Sequence, residues 1–300
     1  MTESPAATQL STRQLVVQAV LKTDVGKVRS ENQDFGTLTT PQEEARSYPG
    51  GRLLIVADGM GGHRGGATAS RLATETVKAQ YLGSPTGDVA SALRDALTRA
   101  NANVFAQSQT NPDLRGMGTT TSALVIRGNQ GWLAHVGDSR IYLLRGDGIQ
   151  QLTEDHSLVA TMVREGLLTS QEAENHPRRN VLQRSIGVGE EVEIDVRGPM
   201  DVQENDTFIL CSDGLHGLVK EEEMTRIARL PLPQAANEFV KLALERGAPD
   251  NVTVIVARVV RADQVGEDTL TDESDRSPFE ETINEHQRIG VPASILRPTQ

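Results

Sequence analysis

Short apolar runs that stop on an aspartate constrain this chain more than any other feature. Residues 53–57 (LLIVA) end at Asp58-Gly59, residues 208–211 (FILC) are followed by Ser212-Asp213-Gly214, and Asp250-Asn251 stands just before the apolar run 252–260. Apolar runs of this length read as buried strands. A carboxylate at the end of a buried strand is expensive to desolvate unless it is paired, caps a helix or binds a metal. Asp34, just after a turn, and Asp138, between two strand-like runs, extend the set. An Asp-Gly pair taken alone usually marks a turn. Spacing alone does not show that the five carboxylates meet. If they do, hard divalent cations such as Mg²⁺ and Mn²⁺ are their natural partners.

The pattern between these residues predicts strands over 14–23 and 34–39, paired with each other, a loop over 46–51 and a buried strand over 53–57. Two helices follow. The first covers 67–82, with Ala69, Leu72, Ala73, Val77 and Tyr81 on one face. The second is capped by Asp88 and carries the stripe Val89, Leu93, Ala96, Leu97, Ala100, Val104 at spacings of three and four. Strands are expected at 119–127, 131–136, 139–145 and 149–152, short helices at 157–165 and 170–174, and strands again at 193–197 and 207–211. Helices at 221–230 and 233–246 precede a last strand, 252–260, apolar enough to be central. Hairpin-linked strands and paired helices predict an α+β fold: two antiparallel sheets with helices packed outside.

Charge divides the 300 residues. The formal net charge is -11, and residues 262–300 hold nine acids against three arginines. The expected organisation is therefore a polar, mobile segment 1–13, a folded domain 14–261 and an acidic, disordered tail 262–300. No Lys/Arg-rich run gives an electrostatic footprint for nucleic acid. No apolar stretch of roughly 20 residues reads as a membrane span, and no secretory leader is apparent. The one cysteine, Cys211, lies in an apolar run and reads as a buried strand residue. A cysteine-based phosphatase would need an arginine six residues on, where Gly217 stands. These features predict a cytoplasmic protein. The glycine-rich stretch 58–66 does not fit a dinucleotide loop, which would need glycine where Arg64 stands, and there is no glycine-lysine phosphate loop. Its glycines suit close backbone approach to an ion or substrate.

Taken in order, seven segments resemble the metal-dependent protein phosphatases of the PPM (type 2C) family, its bacterial members in particular. They are Arg29-Ser30-Glu31-Asn32-Gln33-Asp34, residues 56–62 (VADGMGG), Gly116-Met117-Gly118-Thr119-Thr120, Val136-Gly137-Asp138-Ser139-Arg140, residues 152–157 (LTEDHS), Ser212-Asp213-Gly214 and Asp250-Asn251-Val252-Thr253. Each is weak alone; the ordered set is specific. The resemblance implies a four-layer α-β-β-α sandwich and a phosphatase of phosphoserine and phosphothreonine that works as a monomer. It implies two Mg²⁺ or Mn²⁺ ions held by Asp34, Asp58, Asp213, Asp250 and the Gly59 carbonyl, with Asp138 a ligand of a third ion. Arg29 matches the arginine that grips substrate phosphate, a task suited to its bidentate fork. His63 is the candidate general acid, with an ordinary pKa of about 6.5. Animal members carry histidine directly after Asp-Gly, where this chain has Met60, and a loop histidine holding local structure is the competing reading. Residues 157–185 resemble a flap that shapes substrate access. Arg178, Arg179 and Arg184 within it are candidates to meet acidic or phosphorylated partners, with solvated surface as the default. Phosphorylated proteins, and a Ser/Thr kinase whose action is opposed, are the implied partners. The rival classes are a two-metal phosphodiesterase and a non-catalytic relative. The absent basic surface argues against the first, and the complete set of aspartates against the second.

Overall fold

The computed structural model describes residues 14–61 and 65–264. Strands β1 (Leu15–Asp24) and β2 (Asp34–Leu38) lead to the short helix α1 (Pro41–Arg46) and strand β3 (Arg52–Met60). Long helices α2 (Gly65–Leu82) and α3 (Val89–Thr110) come next. Strands β4 (Gly118–Thr119), β5 (Thr121–Arg127), β6 (Gln130–Val136), β7 (Arg140–Arg145) and β8 (Gly148–Gln151) follow. Short helices α4 (Leu158–Arg164) and α5 (Ser170–Glu174) precede β9 (Asp195–Asp201) and β10 (Thr207–Cys211). Helices α6 (Asp213–His216), α7 (Glu221–Ile227) and α8 (Leu232–Glu245) then lead to β11 (Val252–Arg261).

The strands form two antiparallel sheets, β1-β11-β10-β7-β8 and β2-β3-β5-β6-β9, with β4 added beside β3. Alternation along β3 explains the layering. Leu53 and Ile55 point out of the sheet to meet Ala69, Ala73, Val77, Leu93 and Leu97 of α2 and α3. Leu54 and Val56 point the other way, towards Phe208, Leu210, Ile255 and Ala257 of the opposing sheet. The far face of that sheet, through Ile209, Cys211, Val254 and Val256, buries Leu215, Phe239 and Val240 of α6 and α8. The result is the expected four layers, helix, sheet, sheet, helix, with strands apolar on both faces because both are covered. Each fully buried Leu, Ile or Val contributes about 1.5–3 kcal/mol. Cys211 is buried in this core, and burial pushes its thiol up to about 12. No helix among the described residues is long and apolar enough to cross a membrane.

Several expectations need correction. The first two strands do not pair: β1 pairs with β11 and β2 with β3, so residues 25–33 cross from one sheet to the other. Helix α1 falls where the sequence reading saw nothing regular. Thr40 caps it in a capping box with Glu43, and Pro41 sits in its first turn. The strand expected at 119–127 is broken at Thr120, which turns its N–H to the carbonyl of Asp58 (2.9 Å). Asp58 does not end its strand: β3 continues through Gly59 and Met60, which pair with β4. Asp213 opens the one-turn helix α6. Leu72 is only half-buried, but the rest of its predicted face and the whole α3 stripe are core.

Candidate metal centre

The site is built where the two sheets meet the 25–33 crossover. Asp34 begins β2 and lies directly across from Asp58 in the β2–β3 register. The ladder thus fixes two carboxylates as neighbours with no help from side chains. Asp34 is buried, and its Oδ2 accepts a hydrogen bond from Ser212 Oγ (2.7 Å). Its Oδ1 is buried with no hydrogen-bond partner. Asp58 is held by its backbone. Its N–H donates to Thr120 Oγ1 (2.8 Å), and its carbonyl accepts from Thr119 Oγ1 (2.9 Å). Gly59 must be glycine: a Cβ there would strike the Gly66 carbonyl and lie 2.6 Å from the Gln33 carbonyl.

The opposite wall comes from the other sheet. Asp213 follows β10 as the first residue of α6, and its charge reaches Asp58. Asp250 precedes β11 and forms an ion pair with Arg29 (Nη2 to Oδ2, 2.7 Å). Asn251 fastens the crossover over this wall. Its Nδ2 donates to the carbonyls of Val25 (2.9 Å) and Glu31 (3.0 Å), and its Oδ1 accepts from the Gln33 N–H (2.8 Å). Asp138 sits on the loop between β6 and β7, and His216 at the end of α6 donates from Nε2 to its backbone carbonyl (3.0 Å).

Electrostatics shows what these carboxylates lack. Burial, and then neighbouring acids, raise Asp34 to about 7 and Asp138 to about 8. Asp58 is pushed well up by burial first, then by Asp34, Asp213 and Asp138. Asp213 is raised by burial and by Asp250. Arg29 is raised as well, which for a guanidinium favours the charged form: its hydrogen bond to Asp250 is the main cause, and the charges of Asp58 and Asp213 add to it. The acids raise one another because like charges gathered in one site resist ionising together. Among the described residues, no three acidic, His or Cys side chains close into a compact ligand set. Mg²⁺ demands fewer protein ligands than that: it takes one or two carboxylates and completes its shell with water. The orphaned Asp34 oxygen and the mutual repulsion of these acids are the features a divalent cation would relieve. On donor chemistry these residues suit a hard divalent cation.

The structure brings together Arg29, Asp34, Asp58, Asp213 and Asp250, with Asp138 within electrostatic reach of Asp58 and Asp213. His63 lies outside the described residues. Sequence reasoning gave no role to Ser212, Thr120 or His216. Ser212 and Thr120 were inside recognised segments, so their hydroxyls were visible. His216, three residues after Asp213, signals only once α6 is known to be helical.

The fold and this acidic cleft define a class, two-sheet sandwiches with a carboxylate centre at one edge, and the comparisons identify which. Residues 29–249 match the Protein phosphatase 2C family, and the chain belongs to that family. It is 39% identical over 250 residues to the serine/threonine protein phosphatase PstP of Mycobacterium tuberculosis, a match taking in 83% of this chain and 46% of that longer protein. It is 37% identical over 246 residues to the serine/threonine phosphatase stp of Listeria innocua, covering 80% of this chain and 95% of the relative. A crystal structure of the PstP catalytic domain in complex with two manganese ions superposes with a TM-score of 0.70 and 36% identity, covering 82% of this chain and 99% of the other.

Proposed function

We propose that this chain is a protein serine/threonine phosphatase that hydrolyses phosphoserine and phosphothreonine monoesters. The observation that carries the proposal is the carboxylate pair Asp34–Asp58, fixed by strand register, within charge reach of Asp213 and with one buried Asp34 oxygen unsatisfied. The names of the relatives, and the two manganese ions of the PstP catalytic domain, support it. Asp34, Asp58, Asp213, Asp250 and the Gly59 carbonyl would hold two Mg²⁺ or Mn²⁺ ions, with Asp138 serving a third. When bound, such ions make water nucleophilic at neutral pH and neutralise charge on phosphoryl oxygens.

The chain's own residues do the rest. Arg29 is half-exposed and stays charged beside Asp250, so its fork is available at the mouth to hold two phosphate oxygens. Ser212 and the Thr253 N–H that donates to it (3.0 Å) keep the Asp34 carboxylate aimed into the cleft. The leaving serine or threonine oxygen requires a proton, and His63 is the proposed donor. A Ser/Thr kinase as the opposing partner, a cytoplasmic location and a monomeric state complete the reading. They rest on the family's bacterial members rather than on this site.

Hydrolysis of a phosphothreonine peptide with Mn²⁺, with Mg²⁺ and with chelator, for wild type and Asp213→Asn, tests it. Metal-dependent phosphate release, abolished by chelator and reduced on the order of a hundredfold or more in the variant, is expected. Folded protein with no turnover in either metal would point to the non-catalytic relative. Turnover that survives chelator would overturn the mechanism.

A further inference from the structure

The flap, residues 157–185, returns to its own starting point. The Leu158 N–H donates to the Val181 carbonyl (2.8 Å), the Gln183 N–H to the His156 carbonyl (2.8 Å), and Ser157 and Leu182 form an isolated antiparallel bridge. Its root is bound to the loop that carries Asp138. Arg140 forks onto Asp155 through Nε (2.9 Å) and Nη2 (2.7 Å). The His156 N–H donates to the Gly137 carbonyl (2.7 Å), and the Gly137 N–H donates to His156 Nδ1 (3.2 Å). Gly137 has φ 111°, and a Cβ there would lie 2.6 Å from the Thr120 side chain, so this loop has little room to rearrange.

Because His156 Nδ1 accepts, the ring proton of the neutral imidazole sits on Nε2, 3.3 Å from Asp195 Oδ2. Arg184, at the far end of the flap, places Nη1 3.1 Å from Asp195 Oδ1 and 3.4 Å from that same His156 Nε2. Both nitrogens are donors, so they do not bond each other; Asp195 is the acceptor that reconciles them. Asp195 is itself fixed at the start of β9, opposite His135 in register. One carboxylate therefore joins the closing end of the flap to the imidazole holding the peptide just before Asp138.

We propose that Arg184 and Asp195 are positioning residues that latch the flap and, through His156, set the orientation of the Asp138 carboxylate. An exposed ion pair contributes little by itself. This one differs because its carboxylate is three-quarters covered and shared with a buried imidazole. A protein substrate that moves the flap would thereby act on Asp138, whereas a small phosphoester that does not touch the flap would leave it alone. The meaning for catalysis rests on the phosphatase reading, but the coupling is measurable without turnover.

The experiment compares full-length wild type with Arg184→Ala, Asp195→Ala and Arg184→Lys. Residue-resolved amide exchange is read on metal-free protein, followed by Mn²⁺ titration. The expected result is faster exchange, by about tenfold, at Gly137 together with Leu158 and Gln183, while the Asp58 N–H is unchanged. The weakest Mn²⁺ binding step should loosen about tenfold with the tighter steps intact, and Arg184→Lys should restore most of both effects. Accelerated flap amides with Gly137 and the weak Mn²⁺ step unaltered would overturn the proposal. So would equal acceleration at Asp58, which would mark a merely structural pair, or no change anywhere. Failure of the phosphatase reading would show instead as wild-type protein that releases no phosphate, with the exchange pattern intact.

Discussion

The two sides of the acidic cleft are built by different means. On one side Asp34 and Asp58 face each other because β2 and β3 pair, and backbone hydrogen bonds set their separation. On the other side Asp138 stands on a loop whose position depends on His156, His216 and the Arg140–Asp155 fork. Ladder bonds form along with the sheet and are lost only when it unfolds. Side-chain bonds can be broken one at a time without losing the fold. The strand-paired side should therefore behave as fixed machinery and the loop side as the adjustable part.

The largest effect should come from the fixed side. Asp58→Asn removes a carboxylate from the centre of the array, and Mn²⁺-dependent phosphate release should fall by on the order of a hundredfold or more. Asp138→Asn, on the adjustable side, should cost less and shift mainly the metal concentration needed for activity. Equal losses in the two variants would erase the contrast.

Gly59→Ala comes next. The added Cβ meets the backbone of Gly66 and Gln33, which cannot swing aside as a flexible side chain could. It should destabilise the protein by about 1–3 kcal/mol, seen as a lower midpoint in urea unfolding with the slope unchanged. An unaltered midpoint would mean the packing of Gly59 against Gly66 and Gln33 is softer than these contacts indicate.

The pH dependence of stability sharpens the comparison further. Asp34 is raised to about 7 in the folded, metal-free chain from an ordinary value of 3.8. Between these values the folded state holds a proton that the unfolded state has released. Metal-free stability from this group is thus present at low pH and is lost as pH rises from about 4 to about 7. Thermal unfolding with chelator should show a midpoint falling over that range. Mn²⁺ should raise the midpoint most at the alkaline end, where the carboxylates are free to bind it. A stabilisation by Mn²⁺ that is independent of pH would argue that the buried carboxyls do not bind the ion.

The smallest effect is expected from removing residues 262–300, which supply none of the candidate ligands: kcat on a small phosphoester should stay within about twofold of wild type. A large loss would give the acidic segment a part in the active centre.

Much of this was legible in the chain alone. The α3 stripe, the apolar central β11 and the coincidence of β10 with residues 207–211 follow from periodicity and from apolar runs too uniform to lie anywhere but between covered layers. The T-P-x-E signal of α1 was equally present and went unread because the helix is short and buries nothing. The expected pairing of the first two strands failed for a different reason. Proximity in sequence favours a hairpin, but a ten-residue strand finds more to pair with in β11, which lies more than 225 residues away.

The sequence determined the donors: which carboxylates exist, that each adjoins an apolar strand, and that hard cations suit them. Local chemistry writes that information into every short segment. Only the tertiary structure decided that Asp34 faces Asp58, that Asp213 comes within charge reach of Asp58, and that Arg184 reaches His156 through Asp195. Such distances are set by strand register and by sheet-on-sheet packing, and contacts between residues far apart in the chain leave no periodic trace in either partner's sequence.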